Sequence, residues 1–136
     1  MTPKIYKTDS IDGAEIGQYE SMVLSTIAIP DPGYPYQLTF SGQAWISQGS
    51  PTGVDLVVKD GPTVGGANLS AITSINGGFV GNQGGRLVHP ITGTSGTLTG
   101  TRTISLCVIK WAGGPGDGWQ HGGSAYTNVT ALLTAA

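Results

Sequence analysis

The run from Gly96 to Trp111 is the longest strand-forming stretch of the chain, and from Thr101 its side chains alternate. Ile104, Leu106 and Val108 fall on one face, Cys107, Ile109 and Trp111 on the other. Both faces are apolar in the C-terminal half. A strand with one side in water carries polar residues there, so this pattern predicts a ribbon covered twice, by its own core and by a further body. In a chain this short, that further body is expected to be a second subunit.

The same period of two recurs elsewhere. Ser21 to Ile29 reads as a strand, followed by a turn stiffened by three prolines, Pro30, Pro32 and Pro35. Tyr36 to Ser47 places Tyr36, Leu38, Phe40, Ala44 and Ile46 opposite Gln37, Thr39, Ser41, Gln43 and Trp45, the mark of a half-buried antiparallel strand. Gly42 within it predicts a bulge or a close approach to another backbone. Gly53 to Lys59 adds a strand closed by Asp60-Gly-Pro62, and two short ones are expected near Leu69–Ile75 and Arg86–Pro90. After the long ribbon, Gly113 to Gly118 is a loop that Trp119 to Gly123 extends, and Tyr126 to Ala135 alternates again as the last strand. No helical period and no internal repeat is visible. Residues 1–20 show no sustained period and read as an extended N-terminal arm, leaving residues 21–136 as one domain. About eight strands without helical crossovers predict an all-β antiparallel jelly-roll sandwich.

Composition sharpens this picture. The chain has 136 residues, enough for one core. Its 23 glycines, more than twice the usual share of about 7%, cluster between the apolar runs as turns should. Charged residues are only 10%, yet 38% of the chain is hydrophobic in β-periodic runs, which argues against disorder. The six Lys and Arg are scattered and the net charge is −2, so no basic stripe is available for phosphates and nucleic-acid binding is not expected. No run approaches a membrane span and the first residues lack a signal-like apolar core, so a soluble protein made in a cytoplasm is expected, with no membrane insertion. The single cysteine, Cys107, rules out an intrachain disulfide and reads as a small buried hydrophobe.

Candidate chemistry is sparse. His89 and His121 lie far apart without an acid at metal-ligand spacing, and Asp117 near His121 lacks a third ligand, so no metal is expected. Asp9, Asp12 and Glu15 do not fit a calcium loop, because with Gly13 at its sixth position the loop would run from Thr8 to Tyr19. Asp31 and Asp60 sit in turns and Asp55 in a strand, which accounts for them without glycoside cleavage. Gly114 to Gly118 lacks the Lys-Ser or Lys-Thr of a phosphate loop. No catalytic residue, no cofactor and no enzymatic activity are expected. The aromatics carry more weight, because exposed tryptophan is favoured at protein contacts and at sugar-stacking sites. Trp45, Cys107, Ile109 and Trp111 are assigned to a subunit interface; Trp119, which falls in a loop, with His121 and Tyr34, is assigned to binding a partner.

Three stretches, Ile29 to Gly42, Thr97 to Leu106 and Tyr126 to Ala136, resemble small virion proteins of actinobacterial tailed phages, of the kind labelled minor tail or structural proteins. The resemblance spans Ser21 to Ala136. It implies a trimeric jelly roll like those of the tumour necrosis factor superfamily, assembled in the bacterial host cytoplasm and residing in the virion. Its implied partners are further copies of itself, the major capsid protein or other virion proteins, and a host-surface glycan. A capsid decoration or cement protein is the role this favours, with a minor tail or tail-tip protein that contacts the host surface as the alternative.

Overall fold

A computed structural model describes residues 2–12, 19–48, 52–76 and 88–136. Its strands are β1 (Lys4–Lys7), β2 (Met22–Ile29), β3 (Tyr36–Gln48), β4 (Gly53–Asp60), β5 (Thr73–Asn76), β6 (Val88–Thr94), β7 (Arg102–Ala112), β8 (Trp119–His121) and β9 (Asn128–Ala135). They form two sheets, one ordered β1-β9-β3-β6 with β8 also on β3, the other β2-β7-β4-β5. Every pairing is antiparallel.

Setting the short β8 aside, the first strand pairs with the last, the second with the second-last, and so inwards to β4 with β5. That nesting arises when one long antiparallel hairpin rolls over on itself, and it defines a jelly roll. The chain is therefore an all-β, two-sheet sandwich, as its alternation predicts.

The core lies between the sheets. From one side come Tyr36, Leu38, Phe40, Ala44 and Ile46 of β3 with Val129, Ala131 and Leu133 of β9; from the other come Ile104, Leu106 and Val108 of β7 with Val54, Leu56 and Val58 of β4. Each fully buried aliphatic side chain of this kind contributes about 1.5–3 kcal/mol. Tyr36 is wholly buried, and its hydroxyl donates to the Gly100 carbonyl at 2.8 Å, so the phenol costs no unsatisfied polar group. Gly42 meets its expectation of close approach: a Cβ there would overlap the Asn128 carbonyl oxygen and stand 2.7 Å from Val129 Cα. In the proline turn, Gly33 has φ +86° and its N–H donates to Asp31 Oδ1 at 2.8 Å, a side-chain-closed turn that favours glycine at this position.

The arm assigned to residues 1–20 is corrected for its described part. Lys4–Lys7 is an edge strand of the first sheet, in register from Lys4 against Leu133 to Lys7 against Thr130. Thr8 N–H then donates to Val129 O and Asp9 N–H to Thr26 O, tying this segment to a strand of each sheet, and Ile11 is buried in the core. Four residues are too few to display a period, which is why the strand is silent in sequence. The remainder of the arm, 13–18, lies outside the described residues. Two further boundaries move. The strand expected at Leu69–Ile75 begins only at Thr73, because Leu69 and Ser70 N–H bend back to Val58 O, and Trp119–His121, expected as loop, is a strand on β3. The strand expected from Arg86 is described from Val88 and runs to Thr94.

Candidate interaction surfaces and an aromatic cleft

Of the seven residues singled out by sequence, four prove to be interior. Trp119 opposes Gln48 of β3 on the core side and is 1% exposed. Its indole Nε1–H donates to Glu20 O at 3.2 Å. His121 is buried beside it, the ring centroids 6.0 Å apart, with Nδ1 3.0 Å from Gly122 O. Neither presents a surface to a partner, and that assignment is corrected: the glycine-rich loop ends one residue before Trp119, and pairing with β3 turns the indole inward. Cys107 and Trp45 are likewise buried within one chain, at 0% and 6% exposure, which corrects their placement at a subunit contact. Cys107 lies opposite Val57 on the outward side of its sheet, and burial pushes its thiol up to about 11, Lys59 opposing weakly. Trp45 packs on Tyr126 at 6.5 Å and over Gly122, where a Cβ would stand 2.9 Å from the indole.

Ile109, Trp111 and Tyr34 keep surface. Tyr34 packs partly on the core and lines a shallow cleft with Asp31, Pro35 and Thr99. Ile109 is half-buried, and Trp111 is 49% exposed. The Trp111 indole lies flat over Gly53 of β4, close enough that a Cβ there would come within 2.6–2.8 Å of three ring atoms. It forms one wall of a cleft of about 300 Å³, whose other members include Tyr19, Glu20, Ser21, Lys110 and the Gly113–Pro115 turn.

This cleft is built from fixed parts. The Lys110 ammonium donates to Tyr19 O at 3.2 Å and Gly114 O at 2.6 Å, joining its two rims. Lys110 N–H donates to Ser21 Oγ at 2.9 Å, and Trp119 holds the intervening Glu20 carbonyl from beneath. On the far rim Asp117 Oδ2 accepts Gly114 N–H at 2.7 Å while Asp117 N–H donates to Gly114 O, so this carboxylate closes its own turn. Tyr19, at 51% exposure, is the second open aromatic here, and sequence reasoning missed it because it falls within the patternless N-terminal stretch.

A different kind of surface covers the outward side of the β1-β9-β3-β6 sheet. Register places Ile5, Leu132, Thr39 and Thr94 in one row across it and Lys7, Thr130, Ser41 and Thr92 in the next, with Gln43 and Pro90 beyond. Thr39 and Thr94 hydroxyls meet at 3.2 Å and Thr130 Oγ1 donates to Ser41 O. Ile5 and Leu132, cross-strand partners, are both exposed. Lys7 is the one charge among these ten positions.

The nested strand order places the chain in the jelly-roll class, and comparison with solved structures agrees. The fold is similar to that of a chain in the structure of infectious bursal disease virus, Gx strain, with a TM-score of 0.53 and 12% identity, over 98% of this chain and 37% of that one. The chain thus spans just over a third of that neighbour's length, and at this identity the likeness is one of fold, a jelly roll of the kind found in a virus. No protein-family model matches the chain, and no curated protein matches its sequence.

Proposed function

We propose that the chain is a structural protein of a virus particle, a homotrimeric decoration or cement protein on the capsid of an actinobacterial tailed phage. The carrying observation is the complete nested jelly roll, matched over 98% of its length by a chain of a virus structure. Two features support assembly as the role. The outward face of the first sheet is broad and carries one charge in ten positions, and depletion of charge marks the centre of protein contacts. Only Ile109 and Trp111 of the sequence-assigned contact residues keep surface, so this first-sheet face is the better packing surface for further copies or for the shell. The role asks for no turnover.

Immunogold labelling of purified particles, with an antibody raised against the chain, tests the reading. Dense labelling of heads is expected, and native mass spectrometry of the isolated protein should give three copies per complex. Particles without label would overturn the proposal. Label confined to tails would favour a second reading, a tail component contacting the host surface, which the open aromatics Tyr19 and Trp111 support.

A further inference from the structure

We infer that the cleft between Tyr19 and Trp111 binds a neutral saccharide, with a sugar ring lying on the Trp111 indole and its hydroxyls on the polar rim. The inference goes beyond the assembly role and concerns a surface separate from the first-sheet face.

Three observations select this ligand. The first is the open aromatic plane. Tryptophan normally buries most of its area, yet Trp111 is 49% exposed and Tyr19 51%, and both line one cleft. An indole held against Gly53 on one side offers its other face to a flat partner, and the C–H face of a pyranose is flat and apolar.

The second is the remainder of the lining, which is polar: Glu20, Ser21, Lys110 and the backbone of Gly113 and Gly114. Ser21, Lys110 and Gly114 meet part of their hydrogen-bonding capacity within the cleft, and a purely apolar ligand would take water from what is left, including the Glu20 carboxylate, at about 1–3 kcal/mol for each group fully buried without a replacement. A ligand with one apolar face and a rim of hydroxyls meets both requirements.

The third is the charge balance. Lys110 brings one positive charge, fixed by the Tyr19 and Gly114 carbonyls, while Glu20 in the lining and Asp117 behind the far rim bring two negative ones. A cationic ligand seeking an aromatic cage would face that ammonium, and an anionic one would face Glu20. A neutral ligand meets neither penalty. The cleft is also assembled before any ligand arrives, since Lys110, Ser21, Trp119 and Asp117 hold both rims by hydrogen bonds, so little ordering opposes binding.

The test is tryptophan fluorescence and saturation-transfer NMR of the whole chain, titrated with methyl glycosides of glucose, galactose, mannose and N-acetylglucosamine, and with sialic acid and choline as charged probes. At least one neutral glycoside is expected to saturate in the millimolar range, with signal transfer to its ring C–H protons. Trp111→Ala should weaken it about tenfold or more, and Trp111→Phe, which keeps a plane, by less. Both variants should retain the parent's circular dichroism and complex mass; if the alanine variant does not, the phenylalanine variant and Tyr19→Ala carry the comparison. Absence of saturation by every neutral glycoside, equal affinity of the folded variants, or preference for sialic acid or choline would each overturn the inference. None of these outcomes bears on the capsid assembly role, which rests on the nested fold and the first-sheet face, so this failure and failure of that role are separable.

Discussion

Trp111 and Trp119 stand at the two ends of one glycine-rich loop, eight positions apart, and their surroundings could hardly differ more. Trp119 is sealed in the core while Trp111 is half open. Local sequence does not separate them, because each lies within two residues of a glycine and close to a strand end, Trp111 one residue before the end of β7 and Trp119 at the start of β8. What separates them is which strand each one meets. Trp119 is opposite Gln48, on the side of β3 that also carries Ile46, whereas Trp111 is the extra residue at a break in register, where Gly53 pairs with Ala112 and Val54 with Lys110. Burial of a large aromatic in a jelly roll is thus set by register, and register is a long-range property.

The comparison breaks most readily at Trp119. Replacing it by alanine removes a fully buried indole, leaves a cavity next to His121 and deprives the Glu20 carbonyl of its donor. A loss of about 3–5 kcal/mol is expected, a large part of a typical domain stability of about 5–15 kcal/mol. Chemical denaturation with circular dichroism would measure it. A loss no greater than that of Trp111→Ala would mean that the two indoles are equivalent and that the assigned register of β8 is wrong.

Gly53→Ala sharpens the same contrast from the other side. The new methyl would enter the space of the Trp111 ring, and a half-exposed ring can turn away where a core ring could not. The expected cost in stability is therefore about 1 kcal/mol, at the low end for overpacking, while the cleft loses its platform. Near-ultraviolet circular dichroism and tryptophan emission should change while the unfolding midpoint falls by only about 2–8 °C. A drop of several kcal/mol would show that Trp111 is structural.

These residues also show where the sequence is informative. The alternation of Tyr36–Ile46 and Ile104–Val108 predicted both core faces correctly, because every second residue of a long strand reports its own environment. The jelly-roll class followed from strand number and spacing. The outward pair Cys107 and Trp111 misled, since their alternation shows only that they leave the core; Cys107 is covered within its own chain and Trp111 is not. Short strands, β1 with Ile5 and Tyr6 and β8 with Trp119 and His121, hold too few residues to carry a period and exist because β9 and β3 pair with them. The cleft was half legible: Trp111 stood out as an aromatic, but its joining to Tyr19 depends on Lys110 contacts spanning more than 90 positions and on nothing local.

His89 probes where the interior ends. It sits opposite Ala44 on the core side of β6, as Trp119 sits on the core side of β8, yet it is only half covered, and its buried Nε2 has no hydrogen-bond partner among the described residues. Burial lowers its pKa from the ordinary 6.5, because the charged ring is less well solvated there. The unfolded chain therefore binds this proton more readily than the folded one. Stability from this residue is fully present above pH 6.5 and falls as the pH drops through that value towards the lower folded pKa. The exposed part of the ring limits the size, so the loss should stay below the roughly 1 kcal/mol of an ordinary point mutant. His89→Gln, which cannot titrate, should flatten the difference in unfolding midpoint between pH 7.5 and pH 5.5, both about one unit from the ordinary value. If the parent were instead more stable at the lower pH and the variant lost that gain, His89 would have to be a charged surface residue, and the core would end short of it on β6.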